Sequence, residues 1–159
     1  MIFEQSGFLD ESTCDQIVLM QQNYPVDQIH HSTLVTEFFK YYINDPMVRY
    51  VGAKLTYFAQ HNYQNDNLYP NYTHIVRWFG GDGQGKHKDF DNHFCTSIIY
   101  LNDTYSGGET VVEGTVIKPE KGKIVCFNGR ELEHWVNDYS ETHRYTLTTW
   151  YINGEEVLK

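Results

Sequence analysis

The chain has 159 residues, with 12 basic against 21 acidic side chains and a formal charge of −9, which suits one domain with a full core and argues against nucleic-acid or anionic-membrane partners. No apolar run approaches the roughly 18 residues of a membrane-spanning helix, and the opening MIFEQSGFLDE lacks the basic segment of a secretion signal. Three cysteines (Cys14, Cys95, Cys126) are an odd number without a CxxC pair, so a reducing, cytoplasmic setting is expected rather than a disulfide scaffold.

Taken in chain order, residues 8–23 (FLDESTCDQIVLMQQN) predict a helix with Asp10 or Ser12 as N-cap. Ile17, Met20 and Gln21 would share one face. Residues 28–40 are partly β-branched and stay ambiguous. A second helix is predicted from Asp45 as cap and Pro46 as first helical residue, with Met47, Val51, Leu55 and Phe58 as its apolar stripe. From residue 72 the signal is β: THIVRWF, CTSIIYL, ETVVEGTVI, KIVCF and RYTLTTWYI are separated by GGDGQG, NDTYSGG, KPEKG and NDYSETH. Short strands without intervening helices read as a sandwich or barrel. The expected fold is therefore α+β, mainly β: a jelly-roll core over about 72–153. Helices within about 8–62 pack on it, in a single domain covering 1–159.

GGDGQGK at 80–86 nearly matches a phosphate-binding P-loop, but His87 stands where a hydroxyl residue should bind Mg²⁺. The next residues read as loop and strand, not as the helix that cradles phosphate, so these glycines are expected to make a turn or bulge.

His87-Lys88-Asp89 carries more chemistry. On an extended backbone, residues i and i+2 share a face, so His87 and Asp89 can reach one metal ion. One further His from another strand would complete the two-His-one-carboxylate triad of non-haem Fe(II) oxygenases. His134, just after KIVCF and a short loop, is the candidate, with His93 the weaker alternative. The remaining histidines read as ordinary polar surface or core.

In RYTLTTWYI, alternation places Arg144, Thr146, Thr148 and Trp150 on one face. A buried guanidinium costs several kcal/mol unless paired, and a dicarboxylate cosubstrate would pair it through the rigid fork of Arg. Thr148 would add a hydrogen bond to the same carboxylate. The alternative is an exposed Arg144 paired with Glu141.

HKD at 87–89, GGET at 107–110, KPEKGKIVCF at 118–127, His134 and then Arg144 together resemble the 2-oxoglutarate and Fe(II)-dependent dioxygenases of the prolyl-4-hydroxylase-like superfamily, from about Thr73 to Asn153. The resemblance implies a double-stranded β-helix with iron held by His87, Asp89 and His134. It also implies 2-oxoglutarate held at its distal carboxylate by Arg144, with Tyr100 and Thr148 as further hydrogen-bonding groups and Trp150 lining the pocket. The cofactors so implied are Fe(II), 2-oxoglutarate and O₂, with ascorbate as candidate reductant and succinate and CO₂ as coproducts. Related halogenases replace the carboxylate ligand with a small residue, so Asp89 points to hydroxylation. The chain departs from the family at Trp78-Phe79, where many relatives carry a tyrosine.

The resemblance leads to a peptidyl hydroxylase, acting on a prolyl residue in a peptide or protein, with a substrate lid from residues 26–40 and 60–72. Two alternatives stay open: a hydroxylase of a free amino acid or small metabolite, and a non-catalytic cupin-like metal-binding module. A nucleic-acid demethylase would want a second arginine six residues after Arg144, where this chain has Trp150. Oligomeric state is not legible.

Overall fold

A computed structural model describes residues 1–140 and 142–157. Eleven strands are defined among these residues: β1 (Ile2–Gln5), β2 (Gln28–His30), β3 (Thr33–Glu37), β4 (Leu68–Trp78), β5 (Gln84–His87), β6 (Cys95–Tyr100), β7 (Thr110–Val112), β8 (Thr115–Ile117), β9 (Ile124–Phe127), β10 (His134–Val136) and β11 (Arg144–Asn153). The helices are α1 (Glu11–Asn23), α2 (Pro46–Tyr63) and a short C-terminal α3 (Gly154–Val157), with a 3₁₀ turn at Phe38–Tyr41.

The strands form two antiparallel sheets, a larger one ordered β1-β9-β6-β11-β4-β3-β2 and a smaller one ordered β5-β10-β7-β8. This is the jelly-roll core that the strand pattern implied. The helices cover the outer face of the larger sheet, and the smaller sheet closes over its inner face.

Both helices start as their sequences dictate. Asp10 accepts a hydrogen bond from the Thr13 amide at 2.7 Å, and Asp45 does so from the Met47 amide at 3.0 Å, ahead of Pro46. Each cap satisfies an amide that has no partner within the helix. On α1 the buried face is Cys14, Ile17, Met20 and Gln21. On α2 it is Val48, Val51, Leu55, Phe58 and Ala59, with Gly52 where the Phe39 ring presses close. Val48 rather than Met47 therefore carries the first turn: Met47 packs at the edge of the core while Val48 is wholly buried.

Five strands lie outside the predicted runs: β1, β5 and β10, and β2 and β3 in the ambiguous stretch. β1 pairs with β9, Phe3 opposite Cys126, and is too short to show alternation. β5 begins inside the glycine run, and β10 is three residues long. The ambiguous stretch 28–40 resolves into the β2–β3 hairpin and the 3₁₀ turn. The strand read from Thr73 starts earlier, at Leu68, and pairs along its length with β11. No helix follows GGDGQGK; β5 leads into a loop and then β6, which removes the phosphate-binding reading. No described helix is long and apolar enough to cross a membrane.

Alternation along β11 divides the two cores. Tyr145, Leu147 and Tyr151 join the helix-backed cluster with Ile17, Leu55 and Ile75. Arg144, Thr146, Thr148 and Trp150 turn the other way, into the roll. There the apolar contacts are the smaller cluster of Ile98, Tyr100, Val112, Ile117, Val125 and Phe127.

Candidate active site

β5 and β10 run antiparallel with His134 directly opposite His87, and directly opposed residues project to the same face. The two rings lie 4.2 Å apart, centre to centre. Asp89, two residues past the end of β5, reaches the same point: its Oδ1 is 3.7 Å from His87 Nε2 and 3.4 Å from His134 Nε2. One donor atom from each of the three residues falls within 4.8 Å of the others.

The surroundings orient this triad. His87 Nδ1 lies 2.8 Å from Gly85 O, and His134 Nδ1 lies 2.8 Å from Leu132 O. A carbonyl only accepts, so each Nδ1 is assigned the proton and each Nε2 offers its lone pair inward. Asp89 accepts the Thr96 hydroxyl at Oδ2 (2.5 Å), and its amide donates to Gly129 O (2.8 Å). A Cβ on Gly129 would overlap Asp89 Oδ2, so glycine is what lets the carboxylate sit here.

Burial alone would raise the Asp89 carboxyl. Hydrogen bonding to His134 and Thr96 and the two imidazoles outweigh it and hold Asp89 below the usual carboxylate range. Burial works to lower His134, and Asp89 with the Leu132 carbonyl reverses the sign and raises it. Two imidazole nitrogens and one carboxylate oxygen, with no fourth protein ligand in the described group, fit a non-haem Fe(II) triad rather than the closed sphere of a structural zinc. His93 stays outside the group.

Arg144 heads the inner face of β11 and is 1% exposed. Its guanidinium lies 4.7 Å from the centre of the Trp78 ring and 5.7 Å from that of Tyr100. Nη2 donates to Gly108 O at 3.2 Å, while Nε and Nη1 are buried without a partner. The reading of an exposed, edge-strand Arg144 is thereby excluded; Glu141 lies outside the described residues. Leaving a buried guanidinium unpaired costs several kcal/mol, and an anion brought in from solution is what would satisfy it. The hydroxyls of Tyr105 and Tyr139 are also buried without a partner. Their rings are 6.0 Å apart, and Tyr105 meets Arg144 at Gly108, where an added Cβ would crowd both side chains.

Tyr100 is wholly buried, and its hydroxyl pairs with Thr110 Oγ1 at 2.6 Å. Burial raises this phenol, against the pull of Arg144, so it is a neutral donor. Thr148 Oγ1 is 3.5 Å from Thr146 Oγ1, part-way along the row from Arg144 to Trp150. Trp78 donates from Nε1 to Thr146 Oγ1 at 3.3 Å, and the guanidinium lies over its ring. Sequence spacing singles out His87, Asp89, His134 and Arg144 as candidates and gives no sign of Tyr105, Tyr139, Thr96 or Gly129, while Gly108 enters only as part of GGET. Gly129 has a faint signal, as a glycine just ahead of His134.

A double-stranded β-helix with an open His-Asp-His group and a buried, unpaired arginine defines the class of Fe(II) oxygenases that use a 2-oxo dicarboxylate. The sequence profile of the 2OG-Fe(II) oxygenase superfamily matches residues 73–152, half of the chain. The chain belongs to that superfamily, and its cofactors are Fe(II) and 2-oxoglutarate. A search of curated protein sequences gives no significant match.

Solved structures with the same fold include the viral collagen prolyl hydroxylase of Paramecium bursaria Chlorella virus-1 in its 2-oxoglutarate complex. It is 18% identical, with 94% of each chain covered and a TM-score of 0.79. A prolyl hydroxylase of Trichoplax adhaerens, in complex with a hypoxia-inducible-factor peptide, is 19% identical, with 98% of this chain and 84% of that one covered and a TM-score of 0.71. HygX of Streptomyces hygroscopicus, with nickel and 2-oxoglutarate bound, is 10% identical, covering 96% and 82%, with a TM-score of 0.76.

Proposed function

We propose that this oxygenase hydroxylates an unactivated C–H bond of a prolyl residue within a peptide or protein. The observation that carries the oxygenase site is Arg144: a buried guanidinium with two unpartnered nitrogens, in the roll that assembles His87, Asp89 and His134. Similarity to prolyl hydroxylases supports the substrate class. Bound together, Fe(II) and 2-oxoglutarate supply activation of O₂, in which the oxo acid is oxidised to succinate and CO₂ and one oxygen atom enters the substrate C–H bond.

The chain's own residues bind and orient. His87, Asp89 and His134 would hold the iron through two Nε2 atoms and one carboxylate oxygen. Arg144 would hold the distal carboxylate of 2-oxoglutarate, with Tyr100 donating to it while accepting from Thr110, and Thr148 as a second donor. Trp78 keeps water from one face of the guanidinium and fixes its plane. Thr96 and Gly129 hold the Asp89 carboxylate in its rotamer. Three buried free thiols and a ferrous site are in keeping with a reducing cytoplasm.

The test is anaerobic. Fe(II) and then 2-oxoglutarate are added to metal-free protein, and the visible charge-transfer band of the chelate is followed. The wild type is expected to give a saturable band, Arg144→Ala to require far more 2-oxoglutarate, and His134→Ala to give none. Air is then admitted with proline-containing peptides, and hydroxyproline and succinate are measured. No band in the wild type would overturn the site assignment, and a band without hydroxyproline would overturn the substrate.

A further inference from the structure

The fold denies GGDGQGK at 80–86 the helix that a phosphate site needs, yet this run leads straight into His87. It lies against the segment that follows His134. Gly81 O accepts from the Tyr139 amide at 2.9 Å, and the Gly83 amide donates to Asp138 Oδ1 at 3.0 Å. Gly85 O lies 2.8 Å from His87 Nδ1 and accepts its proton. Asp138 also grips a second loop: its carbonyl accepts from the Gly108 amide at 3.0 Å, and Gly108 O accepts from Arg144 Nη2 at 3.2 Å.

One position in the run admits nothing larger than glycine. A Cβ on Gly83 would overlap Val136 O and come within 2.7 Å of the Asn137 carbonyl. These are main-chain atoms, which cannot swing aside as the end of a side chain could. The backbone of Gly83 is not left-handed, so close approach alone demands glycine there. Next to it the register breaks. His134 opposes His87 and Val136 opposes Gln84, so three steps along β5 match two along β10. The extra residue is a bulge in β5, and a bulge re-aims the side chain beside it. Lys86, in the same stretch, has Nζ 4.9 Å from the centre of the Trp135 ring, and Trp135 Nε1 donates to Asn137 Oδ1 at 3.1 Å.

We propose that Gly83 and Asp138 are positioning residues for His87: they pin the run onto residues 136–138 and so hold the bulge that aims His87 Nε2 at the metal point. The inference rests on His87 as an iron ligand and adds how that ligand is held. His87 is the outermost of the three, with its side chain 30% exposed against 6% for His134 and 9% for Asp89. Its strand is four residues long and lies at the edge of the smaller sheet, paired on one side. Packing therefore does least for this ligand, and main-chain ties must do the rest. Because Asp138 grips Gly108 as well, the iron end and the arginine end of the roll share one anchor.

The experiment measures anaerobic Fe(II) affinity by competition with a chelator, beside the ligand-field absorption of the Co(II)-loaded protein and the circular dichroism of each variant. Gly83→Ala is expected to weaken Fe(II) about 10–100-fold and to move the Co(II) spectrum toward that of His87→Ala. Asp138→Ala should weaken Fe(II) about threefold to tenfold. Asp138→Asn, whose amide oxygen still accepts the Gly83 N–H, should return it to within about twofold of the wild type. Asp82→Ala, exposed in the same loop, should stay within about twofold. Wild-type affinity and spectrum in a folded Gly83→Ala would overturn the proposal. An equal loss in Asp82→Ala would overturn it too, since any change in the loop would then suffice. Should Gly83→Ala not fold, the Asp138 pair decides: wild-type affinity in Asp138→Ala, or no recovery in Asp138→Asn, overturns the tie. A His87→Ala protein that binds Fe(II) as well as the wild type would overturn the ligand assignment itself, and the positioning role with it.

Discussion

The two faces of β11 belong to different economies. One face sends Tyr145, Leu147 and Tyr151 into a continuous apolar cluster backed by α1 and α2. The other presents Arg144, Thr146, Thr148 and Trp150 to a roll whose own apolar cluster is much smaller. The outward face is close-packed and its polar atoms are paired: the Tyr151 hydroxyl meets Ser97 Oγ at 2.8 Å and Thr149 Oγ1 meets Thr73 Oγ1 at 3.0 Å. The inward face keeps unpaired nitrogens at Arg144 and, on the neighbouring β4, at His74. The larger apolar cluster thus lies on the side facing the helices, although Gln21 Oε1, Tyr63 Oη and Arg77 Nε are buried without a partner there too.

That division can be broken most forcefully at Leu147. Leu147→Ala empties a wholly buried site and should cost about 2–5 kcal/mol, a fall in Tm of roughly 5–15 °C by calorimetry. The 2-oxoglutarate affinity of the folded fraction should stay within about twofold of wild type. A large loss of that affinity would mean the two faces are not separable. Arg144→Ala is the converse: about 100-fold or more in 2-oxoglutarate affinity, with a smaller Tm change than Leu147→Ala because the guanidinium has no protein carboxylate to lose.

Gly129→Ala sharpens the comparison within the roll itself. The added methyl displaces Asp89, so Fe(II) affinity should fall about 10–100-fold by competition with a chelator, with far-ultraviolet circular dichroism unchanged. A smaller effect, on the helix side alone, is expected of Asp45→Ala. Loss of that cap should cost about 1 kcal/mol in denaturant unfolding and leave both ligand affinities alone.

The smallest effect is on pH. Burial is the main influence lowering His74 and His93. In the unfolded chain they protonate near 6.5, so below that pH the unfolded state binds more protons. Their contribution to stability is therefore present above about 6.5 and lost as pH falls toward the folded values. Their share should lower the ligand-free Tm between pH 7 and 6 by an amount worth roughly a few tenths of a kcal/mol per histidine, opposed by His134, whose raised value adds stability as pH falls. His74→Gln with His93→Asn should flatten the slope.

Much of this was legible beforehand because it rests on local rules. Asp10 and Asp45-Pro46 mark helix starts by their own hydrogen-bonding chemistry. The period of two in RYTLTTWYI sorted Arg144 from Tyr145 without any knowledge of what each would meet. HKD marked two candidate ligands for one metal, because residues i and i+2 of an extended backbone share a face. Other features left almost no trace. β10 is three residues long, and its strand character comes from lying between β5 and β7. Tyr105 and Tyr139 lie far apart in sequence in loops of ordinary composition, and nothing local says that both approach one guanidinium. His74 and His93 read as two more histidines among eight until Trp150 is seen between them.

The sequence by itself determined the fold class and both helix starts and singled out the candidate ligands and arginine, because each depends on residue type and short-range spacing. Only the tertiary structure decided that His134 faces His87 across a strand pair, that Gly129 makes room for Asp89, and that Arg144 is buried with two nitrogens unpartnered. Those facts depend on which strands become neighbours, and strand pairing is settled by packing between segments far apart in the chain.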